Sequence, residues 1–168
     1  QTPNRRHQMS LLEVNNLQIS FFTDEGEVRA VDGVSFAIKK GETLALVGES
    51  GCGKSVTALS IMRLLPQPMG HIDGGQILFD GKDLTKISAD EMRKIRGSRI
   101  GMIFQEPMTA LNPVMTCGRQ IDEVLREHTA LDPAARRAKV LEIMAQVRLP
   151  DPERLIDAYP HQLSGGQR

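Results

Sequence analysis

The sequence predicts an α/β fold in three parts: an N-terminal antiparallel β part, a strand–loop–helix core that binds phosphate, and an α-helical part behind it. Three observations predict it. Apolar and polar residues alternate through most of the first 38 positions. A Gly-x-x-x-x-Gly-Lys-Ser run occupies Gly48 to Ser55, between an apolar stretch and a helical pattern. From Thr116 onward the apolar residues recur at helical spacing.

The elements follow in order. Leu11 to Phe22 places Val14, Leu17, Ile19 and Phe21 as a strand with one buried face. Thr23 to Glu27 turns the chain, and Val28 to Ile38 forms a second alternating strand. Lys39 to Glu42 turns it again into Thr43–Val47, a short apolar run that reads as a buried strand. A helix is expected over Lys54 to Leu65, ended by Pro66. Pro66 to Gly75 reads as a loop, Gln76 to Phe79 as a strand, and Asp80-Gly81 as a tight turn. Ser88 caps a helix through Ile95, with Asp90 and Glu91 in its first turn. Arg99 to Gln105 reads as another buried strand, and Glu106 to Pro113 as a loop. Ile121, Val124, Leu125 and His128 share one helix face. Asp132-Pro133 starts a second helix with a stripe of Val140, Leu141, Ile143, Met144 and Val147. A short third helix is expected over Pro152 to Asp157.

Composition narrows the function classes. The chain has 168 residues, 40% hydrophobic and 25% charged, enough for a domain with a real core. Lys+Arg 21 against Asp+Glu 21 gives zero net charge, which argues against a general nucleic-acid-binding surface. No apolar run approaches the roughly 18 residues of a membrane span. The first eight residues are polar and do not resemble a signal peptide. Residues 1–10 read as a leader, with Met9 a natural translation start. Cys52 and Cys117 lack metal-ligand spacing and fit a reducing compartment.

The chemistry is in the glycine-rich loop. Glycines at 48, 51 and 53 let the backbone wrap closely, so that successive N–H groups face a phosphate chain. Lys54 can reach the β- and γ-phosphates, and Ser55 offers a hydroxyl to Mg²⁺. Leu163-Ser164-Gly165-Gly166-Gln167 is a second anion-facing run, which also reads as a helix cap.

Taken together, Gly48–Ser55, Gln105 at the end of a strand, and Leu163–Gln167 resemble the Walker A loop, Q-loop and signature of an ATP-binding cassette (ABC) transporter ATPase. The resemblance runs from residue 11 to 168. Phe104 to Pro113, Val47 to Ser55 and the Tyr159-Pro160-His161-Gln162 lead are similar to ATPases of oligopeptide, dipeptide, nickel and glutathione importers.

The resemblance implies a P-loop NTPase core over 11–115 and a helical subdomain over 116–168, together one incomplete domain. It implies ATP and Mg²⁺ as ligands. Gly48, Glu49, Ser50, Gly51, Cys52, Gly53, Lys54, Ser55 and Val56 would hold the phosphates. Phe21, with Phe22 second, would stack on adenine. Lys54 and Gln105 would act in catalysis, and Ser55 and Gln105 would hold Mg²⁺. Ser164, Gly165, Gly166 and Gln167 would serve a partner subunit's nucleotide in a head-to-tail homo- or heterodimer. Integral membrane permeases, and indirectly a solute-binding protein, are the further partners, at the cytoplasmic face of the inner membrane. No nucleic-acid partner is expected.

The Walker B Asp-Glu and the switch histidine of that family are not in these residues. His7, His71, His128 and His161 do not match the switch position, and nothing marks Glu49 or Glu106 as the general base. A fragment that binds ATP without hydrolysing it is therefore expected, with an unpaired sheet edge. The alternatives are a soluble ABC-type ATPase acting on nucleic acid or ribosomes, and a non-catalytic nucleotide-binding module.

Overall fold

The computed structural model describes residues 10–104 and 110–167. The backbone divides into two compact units, Gln1–Met92 and Arg93–Arg168.

The first unit is built on a four-stranded antiparallel sheet of order β2-β1-β3-β4. Its strands are β1 (Leu12–Thr23), β2 (Gly26–Ile38), β3 (Gly70–Phe79) and β4 (Lys82–Asp83). The expected alternation appears as burial: Val14, Leu17 and Ile19 of β1 are fully buried with Val31 of β2 and Ile77 of β3. Each such side chain contributes about 1.5–3 kcal/mol by leaving water.

β3 begins six residues earlier than expected, at Gly70. Pro and Gly around position 70 read as loop, but the glycines form an irregularity in the ladder with β1. The pairing shifts register between Asn15 and Gln18. There Gly75 has φ +87, and a Cβ on it would stand 2.5 Å from the Asn15 carbonyl oxygen. Glycine here marks a bulge rather than an end.

Helix α1 (Lys54–Ile61) also differs from expectation. It stops four residues short of Leu65. Arg63 takes φ 50, and Leu64 N–H reaches back to Leu59 O at 2.8 Å. A left-handed residue after the cap turns the chain before Pro66 can. Helix α2 (Ala89–Ile95) starts as expected, with a reciprocal Ser88–Glu91 capping box.

Two expected strands do not form. Thr43–Val47 and the described part of the 99–105 run, up to Phe104, have no ladder partner. Val47 is 94% exposed and Ile103 98%. Their composition suits a strand covered on both faces, which requires a neighbour on each side. Among the described residues no strand supplies one; Ile100 makes only an isolated bridge with Arg96.

The second unit is helical: α3 (Cys117–His128), α4 (Pro133–Gln146) and α5 (Pro152–Leu155), then short 3₁₀ turns at Pro160–Gln162 and Gly165–Gln167. Thr116 and Asp132 cap α3 and α4 with their side-chain oxygens. Cys117, Val140, Met144, Leu155, Ile156, Ala158 and Leu163 make one core, joined by Ile121, Leu125, Leu141 and Leu149. Val147, expected in the α4 stripe, is 64% exposed, because the helix ends at Gln146. α5 is shorter than the 152–157 expectation.

Candidate functional site

The phosphate-loop residues lie in the first unit. Gly48 and Glu49 have no regular structure, residues 50–53 turn, and Lys54 opens α1. Gly51 and Gly53 have φ +84 and +86. Gly53 is required twice over, since a Cβ would also stand 2.6 Å from the Ala30 carbonyl oxygen in β2. The loop is therefore seated on the sheet at Gly53. A Cβ on Gly51 would meet nothing.

Lys54 folds back over the loop. Its Nζ donates to Gly48 O at 2.7 Å and Glu49 O at 2.6 Å, and contacts Cys52 Sγ at 3.3 Å. The ammonium is thus fixed at the loop mouth by neutral acceptors, and phosphate oxygens form stronger, charge-assisted bonds with it. Glu49 contributes its carbonyl to this arrangement. Ser55 is exposed in the first turn of α1, and Val56 is half-buried. Ser50 and Cys52 are exposed, and Cys52 carries a free thiol. Below the loop, Thr57 Oγ1 donates to Gly53 O at 2.9 Å. That buried bond holds the helix start, and the motif alone did not reveal it.

The chemistry of this donor set fits a nucleotide. A lysine, a hydroxyl and helix-start amides suit a phosphate chain. Among the described residues no cluster of three His, Cys, Asp or Glu side chains could hold a metal by itself.

Phe21 is half-buried in β1, opposite Val28 and Gly70. A Cβ on Gly70 would come within 3.0 Å of its ring. Phe22 is 49% exposed and makes an edge contact with His71, ring centres 5.2 Å apart. Gln105 lies outside the described residues.

Leu163–Gln167 lies in the second unit. Ser164 is exposed, and Gly165–Gln167 forms a 3₁₀ turn. Two glutamines hold its shape. Gln167 Oε1 accepts from Ser164 N–H at 2.9 Å, and Gln162 Oε1 accepts from Tyr159 N–H at 2.8 Å. A Cβ on Gly165 or Gly166 would meet nothing within 4 Å. Neither glycine is needed to pack this unit, so their smallness is available for an outside group.

The family pattern described as "ABC transporter" matches residues 31–168. The oligopeptide transport ATP-binding protein OppD of Bacillus subtilis (strain 168) is 52% identical over 94% of this chain and 44% of its own length. The dipeptide transport ATP-binding protein DppD of the same organism is 54% identical, over 94% of this chain and 47% of its own length. The chain therefore spans somewhat under half of these relatives. A solved structure, the dimeric post-hydrolysis state of the ATP-binding cassette MJ0796 bound to ADP and Pi, superposes with TM-score 0.77 at 28% identity. The match covers 93% of this chain and 64% of that one.

Proposed function

This chain belongs to the ABC transporter family, and we propose that it is part of an ATP-hydrolysing subunit that energises import of peptides or related small solutes. The observation that carries the reading is the Lys54 ammonium held at the mouth of a loop whose Gly53 is locked onto the sheet. Gly48–Val56 would grip the phosphates, Ser55 and Gln105 would hold Mg²⁺, and Phe21 would stack on the base. The metal would neutralise charge developing on the transferred phosphoryl group. The relatives named for oligopeptide and dipeptide transport support the solute class.

Ser164, Gly165, Gly166 and Gln167 would close over the nucleotide of a second ATP-binding subunit packed head to tail. The open space around the two glycines and the dimeric neighbour support that arrangement. Permease subunits are the further partners. An apolar cavity of about 500 Å³, lined by Leu111, Ile121, Val124, Leu125, Ile143 and Leu149, supports a protein contact on the second unit. No described helix is long and apolar enough to cross a membrane. Peripheral attachment at the cytoplasmic face is proposed from the relatives named as transport ATP-binding proteins.

Glu49 reaches Lys54 through its backbone oxygen, which leaves the general base unassigned on this chain. The 168-residue chain is accordingly expected to bind ATP without turnover. Fluorescent-nucleotide titration together with a phosphate-release assay checks this.

The central test uses the full-length subunit assembled with its permeases. Lys54→Ala should drop ATP turnover to background, a loss of at least about 100-fold. Turnover at the wild-type rate in that variant would sink the mechanism.

A further inference from the structure

Two segments of the second unit are fastened to the same first turn of α3. One is the chain that follows residues 105–109. Gln120 Oε1 accepts from Asn112 N–H at 2.9 Å, and Gln120 Nε2 donates to Asn112 O at 2.9 Å and Met115 O at 3.1 Å. The other is the strap 156–158, which leads into the Pro160–Gln162 turn and Leu163. Cys117 N–H donates to Ala158 O at 2.8 Å, and Gly118 N–H donates to Ile156 O at 2.9 Å.

These two amides belong to the set that every helix start leaves without an intrahelical partner. Here the strap takes them, while the cap side chain Thr116 serves Arg119. Cys117, Ile156, Ala158 and Leu163 are then buried in one core. The approach is so close that only glycine fits at 118. A Cβ there would overlap Ile156 Cγ1 and stand 2.5 Å from Ile156 O. Gly118 does not have the left-handed backbone that favours glycine. Space is what excludes a side chain.

We propose that Gly118 is a positioning residue for the Leu163–Gln167 loop, setting where that loop meets a partner subunit's nucleotide. The first turn of α3 is the bracket: Gln120 grips the segment after residue 109, and the 117 and 118 amides grip the strap. This rests on the head-to-tail reading above. A side chain at 118 pushes the strap outward, and a displacement of about 1 Å in a positioning element can cost about 100-fold in rate. This chain's own phosphate loop belongs to the first unit and the strap to the second.

The test uses the full-length subunit in its assembled complex. Gly118→Ala should lower kcat at least about tenfold, with KM and fluorescent-nucleotide affinity within about twofold of wild type. ATP-driven association of the ATP-binding subunits, read by light scattering, should weaken in parallel. Cys117→Pro is the second variant. Proline suits the first helical position; the change deletes the bond to Ala158 O and replaces the buried Cys117 thiol with a ring of similar size. It should show the same split, more weakly, and it decides the matter where Gly118→Ala melts early or loses nucleotide affinity. Wild-type kcat in folded Gly118→Ala, or in Cys117→Pro if the first variant misfolds, overturns the assignment. Ser164→Ala is the reference for the head-to-tail reading. If it leaves kcat unchanged, that reading fails and the proposal with it. If Ser164→Ala loses rate and the bracket variants do not, the Gly118 role alone is wrong.

Discussion

At the scale of single residues, the glycines of the two phosphate-facing runs differ in what they do. Gly53 combines a left-handed φ of 86 with a 2.6 Å approach to Ala30 O. Gly53→Ala should therefore destabilise the chain by about 1–3 kcal/mol and weaken nucleotide binding. A thermal melt and a nucleotide titration on the same sample would check both. Gly165 meets nothing in its own unit. Gly165→Ala should leave the melt within about 0.5 kcal/mol of wild type while turnover in the assembled subunit falls. An equal loss of stability in the two variants would contradict this distinction. The motif letters single out both runs, because spacing and residue type suffice to nominate a phosphate loop. They did not reveal the second reason why Gly53 must be glycine, a carbonyl 23 residues away in β2. Gly118 carried no local signal at all. Its partner, Ile156, is known only once α3 and the strap are packed.

At the scale of elements, capping chemistry was legible and ladder partners were not. Ser88 and Asp132-Pro133 announced their helices because caps act over three residues, whereas the Thr116 cap emerged only in the structure. The Ser88–Glu91 box also predicts a pH response. The Lys82 ammonium, 2.6 Å away, and then the Ser88 amide hold the Glu91 carboxyl at about 2, below its ordinary 4.5. A carboxylate depressed on folding stabilises the fold above its unfolded pKa. That contribution should fade as pH falls from 4.5 towards about 2. Glu91→Gln should flatten the melting temperature across this window. A variant whose acid limb matches the wild type would show that the box does not matter to stability. β3 and α1 were misjudged for a shared reason. Gly75 and Arg63 act through a bulge and a left-handed turn, which depend on the neighbouring strand or on the preceding helix turn.

At the scale of the molecule, the two runs without ladder partners stand out. Val47 and Ile103 are almost wholly exposed, although apolar stretches of this kind belong inside a sheet. The 168-residue chain should bind a hydrophobic dye, and Val47→Asp or Ile103→Asp should lower the signal without lowering its melting point. In the full-length subunit the same substitutions should cost several degrees. Equal tolerance in both settings would mean that these runs stay exposed there too. The antiparallel sheet and the helical unit were legible from periodicity, since each closes within a few dozen residues. The status of Thr43–Val47 was not, because an apolar run reports only that burial is favourable, never where the covering strand comes from. The strap at 156–158 has a different character. Its bonds to α3 run from main chain to main chain. The exposed side chain at 157 can therefore change in chemistry without loosening it, while one atom added at 118 cannot be accommodated. The joint tolerates change where the strap faces water and none at its pivot, so random mutagenesis of this unit should return a permissive position at 157 facing an intolerant one at 118.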